Sequence, residues 1–131
     1  MVKKTEIKKQ RIVMDWNEIE RMTKKLAEKI KESKIKFDGI YGIPRGGLPL
    51  AVSLSHKLKI PVLLYPTKDS LVVDDISDTG LTLQRMKNKK IATLYSTDWT
   101  IAKPDWFIAK KPSKNTWIIF PWEAEDETDY S

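Results

Sequence analysis

Between Trp16 and Ser33 apolar residues return every three or four positions. Trp16, Ile19, Met22, Leu26, Ala27 and Ile30 fall on one side of a helical wheel, and lysines alternate with acids on the other. Asp15 precedes this run and Glu18 follows three positions later, a pairing that resembles a capping box, so the pattern predicts an amphipathic helix that starts after Asp15. The period then changes. FDGIYGI, residues 37 to 43, is a short run of strand type that stops at Pro44, Gly46 and Gly47, and a second helix is expected from about Gly47 to Lys57. Further along, Pro61 to Tyr65, Leu71 to Val73, Ile91 to Tyr95, Trp106 to Ala109 and Trp117 to Phe120 are strand candidates, with a helix predicted from Thr79 to Met86. Strands alternating with helices predict an α/β domain with a central, mainly parallel sheet, in which ligands gather at the carboxyl ends of the strands.

Composition narrows the chemistry. The chain has 131 residues, no cysteine and one histidine, which excludes a disulfide framework, a thiol nucleophile, a thiolate zinc site and a histidine-pair metal site. That length suits one domain, expected over residues 1 to 122, followed by an acidic tail over 123 to 131. The opening residues lack the apolar core of a signal peptide, and the longest apolar stretch, Leu48 to Leu54, is far short of the ~20 residues that span a bilayer, so a cytoplasmic location is expected. Net charge is +6, but five acids lie beyond residue 122, leaving the first 122 residues with 24 basic against 13 acidic side chains, a balance of +11. A basic body attracts polyanions, nucleic acid or phosphorylated metabolites alike. No aromatic residues interleave with the lysine-rich stretch, which makes nucleic acid the weaker expectation.

The densest chemistry lies in the segment from Leu71 to Leu83. A buried strand delivers Asp74 and Asp75, and Ser77, Asp78, Thr79, Gly80 and Thr82 crowd what should be the start of a helix. Small donors at a helix start cradle an anion, and Gly80 permits close approach. A helix cap needs one acceptor, whereas this turn offers three acids and several donors. The carboxylates would repel a bare phosphate, so the ligand must also present hydroxyl donors or a cation; a ribose 5-phosphate satisfies both demands. No Gly-Lys-Ser/Thr follows the glycine, which excludes a Walker loop. A second anion device is the turn Pro44, Arg45, Gly46, Gly47, where glycines expose N–H groups and Arg45 offers a guanidinium fork. Two anion sites flanking paired carboxylates describe a sugar with phosphate at both ends.

VVDDISDTGLTL resembles the phosphoribosyl pyrophosphate (PRPP) motif of the type I phosphoribosyltransferase family, and IPRGGLPLA resembles its pyrophosphate loop. Trp99, the run Lys103 to Phe107 and the run Asn115 to Glu123 are similar to the end of xanthine-guanine and related purine members. The resemblance implies the family's Rossmann-like sheet flanked by helices, and Mg²⁺-dependent transfer of phosphoribosyl from PRPP to guanine, xanthine or hypoxanthine, as in purine salvage. It implies that Asp74 and Asp75 hold the ribose hydroxyls, that Asp75 also faces Mg²⁺, and that Ile76 and Ser77 through Thr82 contact PRPP. Asp78 matches the general base near the purine N7; Pro44, Arg45, Gly46 and Gly47 match the pyrophosphate site; Trp117 and Ile118 match the base-binding wall. Trp106 and Trp122 are expected in the core. A homo-oligomer is also in keeping with the family.

Two positions depart from the family pattern. The long loop that covers PRPP is reduced to PTKDS, Pro66 to Ser70, too short for a lid, which predicts slow or leaky transfer. Lys68 remains within it as a phosphate contact. The lysine that reads the 6-oxo group is matched by Thr97, a neutral hydroxyl, with Lys103 the nearest substitute in sequence. A fold that lost both features suggests an alternative, a regulator that binds PRPP or a nucleotide without turnover.

Overall fold

The computed structural model describes residues 10–86 and 88–123. Four strands form the main sheet in the order β2 (Ile40–Gly42), β3 (Leu71–Ser77), β4 (Lys90–Ser96), β5 (Ala109–Lys110), every pair parallel. The register sets Ile40 opposite Leu71, Leu71 opposite Lys90 and Tyr95 opposite Ala109. β3 and β4 are buried on both faces, which is why LVV and IATLY read as continuous apolar runs rather than alternating ones.

Helix α1 (Trp16–Ser33) begins where the sequence places it: Asp15 Oδ1 accepts the Glu18 N–H at 2.7 Å. Its buried stripe of Ile19, Met22, Leu26, Ala27 and Ile30 packs with Leu50, Ala51 and Leu54 of α2 (Gly47–Leu58) and with Ile40, Leu71, Val73, Ala92 and Leu94 of the sheet. Thr23, also on the stripe, satisfies its hydroxyl by donating to Ile19 O. A smaller cluster, Ile43, Val72, Leu83, Ile91 and Ala102, lies apart from this core. Trp106 packs against the main core edge-on to Phe37, as expected of it.

Several elements differ from the sequence expectation. Pro61 to Tyr65 makes only one bridge, Ile40 to Val62, and Trp106 to Ala109 is reduced to a bridge at Trp106 followed by β5. An unpredicted strand β1 (Gln10–Val13) pairs in parallel with β6 (Thr116–Ile119) as a separate two-stranded sheet. The helix predicted over Thr79–Met86 is absent, replaced by a single 3-10 turn, Leu83–Met86. Gly80 stands at φ +86°, outside helical space, and the Thr79 carbonyl accepts the Ile101 N–H at 2.9 Å instead of starting a helical ladder. A Cβ at Gly80 would come within 2.5 Å of Ala102 N and Thr100 Oγ1. The turn is therefore a loop, without the helix dipole expected of it. The acidic tail lies outside the described residues from 124 onward, while Glu123 is folded back, its Oε1 accepting the Phe120 N–H at 2.8 Å. Among the described residues no helix is long and apolar enough to cross a membrane.

Candidate active site

The carboxyl ends of β2, β3 and β4 converge on three adjoining cavities. β3 runs on through Asp74 and Asp75, and because alternate strand residues face opposite ways, the two acids serve different spaces. Asp74 lines a cavity of about 110 Å³ closed by Ile76, Asp78, Thr79, Gly80 and Thr82. Asp75 lines another, of about 540 Å³, with Arg45, Gly46, Trp122 and Glu123. A third, of about 380 Å³, lies between Asp78, Thr79, Trp99, Lys111, Lys114 and Trp117.

Asp74 and Asp75 are held by local backbone: Asp74 Oδ1 accepts the Asp75 N–H at 2.9 Å and Asp75 Oδ1 accepts the Ile76 N–H at 2.8 Å. Burial, and then the charge of Asp75, push Asp74 up from 3.8 to about 8. Burial also raises Asp75, against the opposing pull of its hydrogen bonds. The Trp122 indole N–H leans toward Asp75 and favours its charged form without closing a hydrogen bond. A pair in this state calls for hydroxyl donors or a cation. Among the described residues no three His, Cys, Asp or Glu side chains gather into a metal cage. Two neighbouring carboxylates do suit Mg²⁺, which keeps several waters and takes its remaining oxygens from substrate phosphates.

The Pro44–Gly47 turn lies directly against these acids. A Cβ on Gly46 would collide with the Asp75 carboxylate, and one on Gly47 would stand 2.6 Å from Val73 O. Glycine is needed here for close approach. The expectation that both glycines offer N–H groups holds for one only: Gly47 N–H closes on Ile43 O at 2.8 Å, while no carbonyl among the described residues takes that of Gly46.

Other expected site residues are placed differently from one another. Ser77 is buried and donates to Ala102 O at 2.7 Å, fixing the loop under Gly80, so its hydroxyl is spent internally. Trp117 lines the third cavity, whereas Ile118 alternates onto the core side. Thr97 is buried and donates to Asp78 O at 2.6 Å, outside the cavity lining. Lys103 and Lys68 sit in a separate cavity with Lys36, Lys89 and Lys90, near the amino ends of β3 and β4. Neither lines the three adjoining cavities. The short loop is pinned as a tight turn, Thr67 N–H donating to Ser70 Oγ at 3.0 Å and Thr67 Oγ1 to Asp38 Oδ2 at 3.1 Å.

Two residues were missed by sequence reasoning. Trp122, expected only in the core, stacks on Phe120 with centroids 5.0 Å apart and also walls the arginine cavity. Lys111 is buried, its Nζ 2.6 Å from Asp78 Oδ2, while Asp78 Oδ1 accepts the Trp99 indole N–H at 3.0 Å. A lysine at the end of a short strand reads as a solvated charge; only a partner 33 positions away in sequence explains its burial.

No family model matches the chain. It is 30% identical over 139 residues of alignment to a xanthine-guanine phosphoribosyltransferase of Idiomarina loihiensis, covering 84% of this chain and 85% of that protein. The structure is similar to a purine phosphoribosyltransferase from Pyrococcus horikoshii at TM-score 0.75 and 33% identity, over 87% of this chain and 95% of the other. A Helicobacter pylori xanthine-guanine-hypoxanthine phosphoribosyltransferase shares the fold at TM-score 0.76 and 20% identity, over 90% and 97% of the two chains. With paired acids, arginine turn and aromatic cavity in one place, and relatives aligned along most of its length, this chain belongs to the type I phosphoribosyltransferase family, on its purine branch.

Proposed function

We propose that the protein transfers the 5-phosphoribosyl group from PRPP to guanine, xanthine or hypoxanthine, giving a nucleoside monophosphate and pyrophosphate, with Mg²⁺ bound at Asp75. The observation that carries this reading is the set of three cavities, one lined by Asp75, one by Asp74, and a third that shares Asp78 and Thr79 with the second. Each has the chemistry of one part of the reacting pair. The Ile76–Thr82 turn takes the 5-phosphate, with Gly80 allowing the approach. Asp74 and Asp75 accept the vicinal ribose hydroxyls, whose O–H donors relieve two crowded carboxylates. Arg45 and Gly46 take the pyrophosphate. Mg²⁺, when bound, supplies positive charge to the departing pyrophosphate.

The purine lies against Trp117 with its N7 toward Asp78. A purine nitrogen forms the new bond to C1′ of the ribose as the bond from C1′ to the pyrophosphate oxygen breaks. Asp78 receives or shares the ring proton, while Lys111 and Trp99 hold its carboxylate in place. Transfer to a purine, as such, is supported by the relatives, which are named xanthine-guanine and purine phosphoribosyltransferases.

The test is base-dependent release of pyrophosphate from Mg²⁺-PRPP, with Asp78→Asn beside the wild type. Release that a base raises above a slower base-free hydrolysis, with the base-stimulated part falling at least a hundredfold in Asp78→Asn and the PRPP-induced thermal shift retained, is expected. Saturable PRPP binding with no release under any base would instead mark a regulator.

A further inference from the structure

The third cavity carries charge that the transfer reaction does not by itself require. Lys111 follows β5 directly, and its backbone N–H donates to Ser96 O at 2.9 Å, which fixes it beside the end of β4. Its side chain is only 7% exposed. Of three ammonium donors one goes to Asp78, and the other two have no hydrogen-bond acceptor among the described residues. Burying an ammonium costs free energy unless its donors are met, so the cavity holds an unfilled demand for acceptors.

Lys114 enters from the connection between β5 and β6. Its Nζ lies 5.8 Å from the centroid of the Trp99 ring, and Lys111 Nζ lies 5.9 Å from the same ring. Lys114 makes no ion pair among the described residues. The charged groups lining the cavity are Asp78, Lys111 and Lys114, which leaves one positive charge over.

Trp117 and Trp99 give the space flat apolar surface, so the ligand ring needs acceptors at its edge and gains from negative charge. An amino group at the edge facing Lys111 would set donor against donor. Of the bases considered, guanine and hypoxanthine each carry one oxo group on the six-membered ring. Xanthine carries two and loses a proton most readily.

We propose that Lys111 and Lys114, both from the chain that follows β4, are the specificity-determining residues of this site: Lys111 selects an oxo against an amino edge, and the pair together favours xanthine. The inference rests on the purine-transfer reading above. It places the discriminating cation at Lys111, and neither Thr97 nor Lys103 occupies that role.

The experiment is a comparison of kcat/KM for xanthine, hypoxanthine, guanine and adenine, with saturating Mg²⁺-PRPP, in the wild type, Lys111→Gln, Lys111→Arg and Lys114→Gln. A hydrogen bond to a charged group corresponds to about a ten- to hundredfold effect. Lys111→Gln should lower all three oxopurines by that factor more than it lowers adenine, which loses only the support of Asp78, and should keep the KM for PRPP. Lys111→Arg should recover most of the loss. Lys114→Gln, an exposed substitution, should reduce the advantage of xanthine over hypoxanthine severalfold and change hypoxanthine little. A parallel fall of adenine and oxopurines in Lys111→Gln, with no recovery by arginine, would show that Lys111 only supports Asp78 and would overturn the proposal. Equal use of adenine and xanthine by the wild type would overturn it while the transfer activity stood. Absence of nucleotide from every base would overturn the transfer reading and this inference with it.

Discussion

Gly46 and Gly47 are adjacent, yet alanine at the two positions should fail in different ways. At Gly47 a methyl group would stand 2.6 Å from Val73 O and 3.2 Å from Asp74 Cα, both backbone atoms of the central strand. Neither can move without shifting β3, so overpacking should cost about 1–3 kcal/mol, offset by at most about 1 kcal/mol from alanine's better helix propensity at the start of α2. For a domain of this size each kcal/mol is worth about 3–4 °C, so the free Gly47→Ala protein should melt several degrees below wild type. At Gly46 the obstacle is the Asp75 carboxylate, the end of a short side chain. It can swing away at the cost of its hydrogen bond from Ile76 N–H, a net loss of about 1 kcal/mol. Gly46→Ala should thus melt at most about 3–4 °C below wild type but lose the carboxylate from the place where PRPP needs it. The assay is thermal melting with and without Mg²⁺-PRPP. At a concentration 100 times Kd the wild type should gain about 2.7 kcal/mol, or about 8–11 °C, and Gly46→Ala should gain little. A full PRPP shift in Gly46→Ala would refute the assignment of Asp75 to the ligand.

Asp74 holds its proton in the folded protein up to about pH 8, while the unfolded chain releases it near 3.8. The folded state binds the extra proton between those values, so stability is greatest at the acid end and declines as pH rises through the window, by at most about 1.4 kcal/mol per pH unit. Denaturant unfolding of the free protein at pH 5 and pH 8 should show this slope, and Asp74→Asn should flatten it; an unchanged slope in that variant would place the titration elsewhere. Asp15→Ala removes the acceptor for Glu18 N–H and should cost about 1 kcal/mol in the same measurement without altering turnover. Because Thr67–Ser70 is a pinned turn with no length to cover the site, PRPP should hydrolyse at a measurable base-independent rate; strict dependence of pyrophosphate release on the purine would mean that something else excludes water.

Much of this could be read from the chain because local and tertiary signals agree there. The apolar stripe of α1, its cap at Asp15 and the twice-buried runs of β3 and β4 state their own burial, and Asp74 to Thr82 is dense enough in donors and acids to mark a candidate site. The failures have a common cause, contacts distant in sequence. β1 is largely exposed and takes its form from pairing with β6, more than 100 positions on. The helix at Thr79–Met86 is cancelled by Thr100, Ile101 and Ala102 crowding Gly80. Lys111 and Trp122 look like a surface charge and a core ring until the fold brings Asp78 and Asp75 to them.

Chromatography of the products formed from PRPP, Mg²⁺ and single purine bases tests the central claim most directly. The account predicts one nucleoside monophosphate per oxopurine, matched by the pyrophosphate released above the base-free background, both lost in Asp78→Asn. No nucleotide from any base, with PRPP still raising the melting temperature, would contradict it and leave a protein of this family that binds PRPP without transferring it.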